Sequence, residues 1–443
     1  MKKVCFTVIV AVWSTFMSFS QSVAPANWAE DGGKVMSEEY WKIWNPQIQA
    51  QIDRNIEQYR KSDGIIQVPA NVEVKVEQLS HSFIFGGNIF LFGQLQTEAH
   101  NQQYEKTFGD LFNAATIPFY WKTLEPEKGK PRYEANSSYI FRRPPTDPIV
   151  DFCNKYHILA KGHAIIYGMR RYGHPVWMPE DRIQMEHYFE QHIRELAVRY
   201  KERIQMWDVV NEPIDQANRG LMPDDYTYKC FKWAMEYFSP SVIFNLNDID
   251  MHGEIPYIRR YVEIVRNLID RDVRIDNVGG QMHIFNPDEA RRIAAGDSIL
   301  TPEHLWSVID CLRETDRPVH VSEVTICAPD STQKGKMIQA VLVRNLYRLW
   351  FSEPGVTGIT WWNIVDGGGA AGEPSFSGLY DVDMNKKPAY KILDELINHE
   401  WKTELTVKSD QNGFVRFRGF KGKYKLSWED DSGKIHFIIY HLK

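Results

Sequence analysis

Cysteine is scarce: five in 443 residues, none in a CxxC spacing, which argues against a zinc knuckle. The 14 histidines include no HExxH, and His187 and His192 are five apart, wrong for one helical face. No metal and no cofactor are expected. Charge of one sign is also lacking. The net charge of −6 is spread without long like-sign runs, so neither nucleic acid nor an anionic membrane is indicated as a partner. No apolar run reaches the ~20 residues of a membrane span. The glycines of "FGGNIF" lack the spacing of a dinucleotide-binding turn, which removes the main reason to draw a doubly wound sheet.

What is present is an ordinary globular balance, 43% hydrophobic and 25% charged, on a chain long enough for a large barrel plus an accessory module. Aromatics reach 13%, with 14 Trp, which suits a plain core but also a site that stacks flat apolar ligand faces. The first 20 residues read as a signal peptide: Lys2 and Lys3, an apolar run from Val4 to Phe19, then the small-x-small Ser18-Phe19-Ser20. Export to the periplasm or beyond is the expectation. Cys153, Cys230, Cys311 and Cys327 are expected as free buried thiols, although an export context permits a disulfide.

Residues 21–82 read as a polar-aromatic lead-in helix, with Ser37 as a cap, then strands in which Val72, Val74 and Val76 share one face. Residues 404–443 alternate again, broken by Gly419, Gly422 and the turn "DDSG". Neither end has strands enough to stand alone, so the two are expected to pack as one β module. Between them, residues 83–403 repeat strand then helix. The strands are expected at 83–87, 113–117, 158–163, 204–210, 242–247, 277–281, 318–323 and 356–362. That repeat predicts an α/β fold, a (β/α)8 TIM barrel, with chemistry on its C-terminal rim.

The stretch "WDVVNEP", residues 207–213, ends the fourth strand with Asn211 and Glu212; "VHVSEV" brings Glu323 to the end of the seventh. Alone, Asn-Glu-Pro is also a plausible polar strand exit, and a strand-end glutamate is often just solvated. Two such acids on one barrel mouth point instead to glycosidic bond cleavage. One carboxyl protonates the leaving oxygen and the other attacks the anomeric carbon or activates water.

Motif by motif, the chain resembles glycoside hydrolase family 10, the endo-β-1,4-xylanases. The likeness runs through "WDVVNEP", "NLND" (245–248), "GGQMH", "VHVSEV", "GITWWNIVDG" and "GLYDVDMNKKPAY" (378–390). It implies Glu212 as acid/base, Glu323 as nucleophile and Asn211 as a contact to the sugar 2-hydroxyl. It also implies Gln281, His283, Lys122 and His163 as substrate-side residues and Trp362 as the sugar-stacking ring. Trp361 and Trp362 must point opposite ways on a strand. Tyr120 and Trp121 either line the cleft or pack beneath a loop.

The departures are as specific. Pro118 and Phe119 stand where the family has Glu and Asn, and Tyr167 and Gly168 replace a Trp-His pair. Thr325 replaces an aspartate, and "DGGGAAGEPSFSG" lacks the second tryptophan of the eighth loop. The cleaving pair is kept while the grip on sugar is rewritten. The expectation is a monomeric, retaining, endo-acting β-glycan hydrolase on a polysaccharide or oligosaccharide. An exo-acting or differently specific β-glycosidase, or a non-hydrolytic glycan-binding barrel, are the alternatives.

Overall fold

Parallel strands buried on both faces must be apolar nearly throughout, and the central strands of this chain are. The computed structural model describes residues 34–214 and 220–443; the expected leader, residues 1–20, lies outside them. Strands β1 (Lys61–Gln67) and β2 (Glu73–His81) precede the barrel. The barrel consists of β3 (Ile84–Asn88), β4 (Ala114–Pro118), β5 (Leu159–His163), β6 (Ile166–Tyr167), β7 (Met206–Asn211), β8 (Ile243–Asp250), β9 (Asn277–Ile284), β10 (Val319–Ile326) and β11 (Val356–Trp361). All its pairings are parallel, and β5 and β6 both lie against β7, so the sheet closes on itself. The third staves are one broken strand. Counted so, this is the (β/α)8 barrel.

Helices follow the strands and are cut by local signals. Asp181, Thr332 and Thr301 accept the backbone N–H of Gln184, Gly335 and His304 and so cap three of them. The helix Ile255–Asp270 turns Ile258, Tyr261, Val262, Val265 and Leu268 inward, the three-to-four spacing of a core-facing stripe. Helices α1 (Glu38–Ile43) and α2 (Pro46–Tyr59) stand where one continuous helix was expected, because Asn45 caps a new start with Pro46 at its first position. They cover the helix Gln333–Ser352, whose Asn345 amide donates to Tyr40 Oη at 2.8 Å.

The chain ends meet. Strands β12 (Glu404–Lys408), β13 (Phe414–Phe420), β14 (Gly422–Glu429) and β15 (Ile435–Leu442) complete two small sheets. In one, β1 pairs with β13; in the other, β2 lies between β12 and β14, with β15 outside. Their shared core is Ile66, Val74, Val76, Val415, Phe417, Tyr424 and Leu426. The four described cysteines are free and buried. Among the described residues no helix is long and apolar enough to cross a membrane.

Candidate active site

Glu212 follows the last residue of β7 in a left-handed backbone conformation, φ 53°, which a side-chain-bearing residue adopts only when its surroundings hold it there. The hold is visible. Glu212 N–H donates to the Asn247 carbonyl at 2.7 Å, and Gly168 N–H donates to the Asn211 carbonyl at 2.6 Å. A Cβ on Gly168 would lie 2.1 Å from the Glu212 carbonyl oxygen, so only glycine fits there.

Glu323 does not end its strand, as the sequence suggested. β10 runs on to Ile326, and its register against both neighbours slips between Val321 and the residues after it. Such a bulge re-aims a side chain without ending the strand. Two strands, β8 and β9, lie between β7 and β10, and each sends one amide across the gap. Asn247 Nδ2 donates to Asn211 Oδ1 at 2.7 Å and to Glu323 Oε1 at 2.9 Å. Gln281 Nε2 lies 3.1 Å from Glu212 Oε1 and 3.4 Å from Glu323 Oε1. Glu212 Oε1 also accepts from Tyr167 Oη at 2.8 Å and from Asn211 Nδ2 at 3.3 Å.

Burial, then the facing charge of Glu323, raise the Glu212 carboxyl above the usual carboxylate range; the Gln281 and Tyr167 bonds work against that rise. Glu323 is 5% exposed and accepts from the Asn247 and Gln281 amides. His283 Nε2 is 3.4 Å from its Oε2, and the His163 ring lies near it, Nε2 3.8 Å from Oε1. Behind them the barrel interior is polar. Asp208 Oδ2 takes His163 Nδ1 at 2.7 Å and Lys161 Nζ at 2.9 Å. Burial alone would raise the Asp208 carboxyl, but Lys161 and His163 overcome it and hold it at about 2. With Nδ1–H given to Asp208, His163 Nε2 accepts from Tyr120 Oη at 3.1 Å. His283 Nδ1 meets Thr325 Oγ1 at 3.0 Å, the hydroxyl that the sequence puts in place of the family's aspartate.

Trp362 packs edge-on against Phe90 at 5.1 Å and His163 at 5.4 Å between ring centroids, whereas Trp361 donates its indole N–H to the Asn363 carbonyl and is fully buried. Tyr120 joins the site, and Trp121 stacks on His192 away from it. Phe119 is turned into the core against Tyr200 and Trp207. Lys122 is exposed and donates to the Arg171 carbonyl at 2.6 Å; no described bond joins it to either glutamate. Four residues escaped the sequence reading: Tyr167, which had seemed only a loss, and Asn247, Asp208 and Lys161. Opposite charges inside two buried parallel strands were the available signal, since neither is tolerated there unpaired.

A parallel barrel with two carboxylates sharing one amide at its C-terminal rim is the arrangement of a barrel glycoside hydrolase. The model of glycosyl hydrolase family 10 matches residues 80–396, and the chain belongs to that family. It is 24% identical to the anti-sigma-I factor RsgI6 of Acetivibrio thermocellus over 85% of this chain and 46% of that one. It is 25% identical to endo-1,4-beta-xylanase C of Paenibacillus barcinonensis over 82% of this chain and 35% of that one. The chain thus spans less than half the length of these two relatives. Endo-1,4-beta-xylanase B of Thermotoga neapolitana is 23% identical over 64% of this chain and 79% of that one. Xylanase 10B of Thermotoga petrophila, solved in complex with xylobiose, superposes with a TM-score of 0.59 at 19% identity, covering 72% of this chain and 95% of that one.

Proposed function

We propose that this protein is a retaining, endo-acting β-glycan hydrolase with Glu323 as nucleophile and Glu212 as general acid/base. The observation that carries the reading is the amide of Gln281 shared by both carboxylates. Its contacts of 3.1 and 3.4 Å hold the two Oε1 atoms no farther apart than the lower edge of the ~6.5–9.5 Å range of inverting pairs, which favours the shorter retaining separation. The two acids also differ as the chemistry requires. Glu212 is biased toward its protonated form, ready to give a proton to the leaving oxygen. Glu323 faces the Asn247, Gln281 and His283 donors, which suit an attacking anion.

In the first step Glu323 attacks the anomeric carbon while Glu212 protonates the departing oxygen. Esterification then removes the charge that faces Glu212, so its affinity for a proton falls and it can take one from the incoming water. Asn211, fixed by Asn247, is placed to contact the sugar 2-hydroxyl, and Trp362 to stack on the ring. Endo action and a β-1,4-linked backbone follow the names of the xylanase relatives. A second reading, a glycan-binding barrel without hydrolysis, draws support from the relative named an anti-sigma-I factor; retention of both glutamates opposes it. The test is a panel of plant and algal polysaccharides with product sizing, together with Glu323→Ala. That variant should lose hydrolysis and regain turnover with azide, yielding a glycosyl azide of inverted anomeric configuration. Full activity in Glu323→Ala would sink the assignment.

A further inference from the structure

We propose that the cleft accepts a glycan bearing anionic substituents, carboxylate or sulfate ester, and that Arg143 is the residue that binds them. This rests on the glycan-hydrolase reading above. Two consecutive arginines in the loop after β4 have opposite fates. Arg142 is 4% exposed and neutralised, its Nη1 2.9 Å from Glu373 Oε2. Arg143 is half-buried, and among the described residues no carboxylate lies within ion-pair distance of it. Its guanidinium carbon lies 3.9 Å from the Tyr120 ring centroid and 5.2 Å from that of Phe90. One N–H donates to the Arg142 carbonyl at 2.8 Å. A guanidinium stacked on aromatic faces keeps its edge for an oxyanion, which it binds through paired N–H bonds.

The position belongs to the site. Tyr120 bonds His163, and Phe90 packs on Trp362, so Arg143 stands one ring behind the groups around Glu323. Burial lowers its pKa to about 10, which leaves it cationic at neutral pH in a poorly hydrated place. Glu373 acts on it only from beyond ion-pair distance and is already paired with Arg142; a desolvated cation so weakly balanced is costly, and a substrate anion would relieve that cost. The backbone is held ready, because the Arg132 guanidinium donates to the carbonyls of Thr123 at 3.0 Å and Arg143 at 2.9 Å. On the short helices Trp121–Leu124 and Arg170–Gly173, Lys122, Arg170 and Arg171 are likewise without a carboxylate in ion-pair range among the described residues. In a protein of net charge −6, unpaired cations gathered on one flank of the cleft favour the approach of an acidic chain.

The experiment compares matched oligosaccharides that are neutral, uronate-bearing or sulfated, in wild type, Arg143→Gln and Arg143→Lys. Wild type should show a higher kcat/KM on one acidic arm, and that arm identifies the substituent. Arg143→Gln should cut the acidic-to-neutral ratio by about tenfold or more, mainly through KM; Arg143→Lys should keep part of it. Added salt should lower the ratio in wild type. Hydrolysis without acidic preference, or an equal loss on both substrates in Arg143→Gln, overturns this inference and leaves the hydrolase reading standing. If wild type hydrolyses nothing, the hydrolase reading fails instead. Calorimetric titration with the same oligosaccharides then decides Arg143 by the same ratio, taken in affinity.

Discussion

Glu212 carries opposed influences, and each can be removed singly. Burial and Glu323 push its pKa up, while Tyr167 and Gln281 pull it down. In Tyr167→Phe one restraint is gone, so the carboxyl rises further and the alkaline limb of the pH–rate profile should move to higher pH. Water attack, which needs the ionised base, should slow. An unmoved limb would mean that the 2.8 Å bond is not made in solution. Glu212→Gln should erase the alkaline limb and slow substrates with poor leaving groups by about 10²–10⁴-fold, with activated aryl glycosides affected far less. Equal slowing of both would show that Glu212 is not the acid. Stability carries a sign as well. A carboxyl raised by folding is destabilising at pH values above its folded pKa, and the cost fades as pH falls through that value toward the unfolded one. Glu212→Gln should therefore stabilise the protein at neutral pH, by roughly 0.5–2 kcal/mol, and the gain should vanish in acid; denaturant midpoints across pH would show it. The glutamates were legible because each sits in a short motif, at the end of β7 for Glu212 and inside β10 for Glu323. Tyr167 and Arg143 were not, since their meaning depends on which rings and carboxylates the fold brings beside them.

At the scale of elements, the barrel was legible because eight apolar strands alternate with amphipathic helices, and that period survives errors at strand ends. The ends themselves were not. β9 and β10 run three residues past their expected limits, to Ile284 and Ile326, since neither Met282 nor Val324 differs in character from the strand before it. The bulge at Glu323 and the break between β5 and β6 left no trace in composition, because register is fixed by neighbouring strands and not by a segment's own residues. The buried Lys161–Asp208–His163 cluster ties β5 to β7 beneath the site. Removing Asp208 strands a buried ammonium, so Asp208→Ala should cost about 3–5 kcal/mol. Asp208 is depressed to about 2, so the ionised carboxylate contributes fully above the unfolded value of ~3.9 and is lost as pH falls through the folded one. The stability gap between wild type and Asp208→Asn, read from urea midpoints, should thus narrow between about pH 4 and pH 2. A gap independent of pH would mean that the cluster is not an ion pair.

The whole molecule joins its two chain ends through one small core and fastens that core to the barrel. Arg60, at the end of α2, donates to the carbonyls of Phe351, Glu353 and, at 2.8 Å, Val356. Its guanidinium also covers the rings of Phe83 and Phe351, 4.7 and 5.1 Å from their centroids. Phe351 stacks on Trp401 at 4.0 Å and reaches Phe420 of β13 at 6.1 Å. The contacts run without a gap from β13 to the helix that follows β10, so the module and barrel should unfold together. Val76 tests this. It lies on the central strand β2, is fully buried in the module core and touches no part of the cleft. Val76→Asp places an unpaired carboxylate among Val74, Tyr424 and Leu426, a change that costs about 3 kcal/mol or more. If the two parts are one cooperative unit, calorimetry should show a single transition at lower temperature, with activity lost along the same curve. An appendage would behave otherwise. A small early transition would then split from the barrel's, and hydrolysis would persist through it to the wild-type temperature.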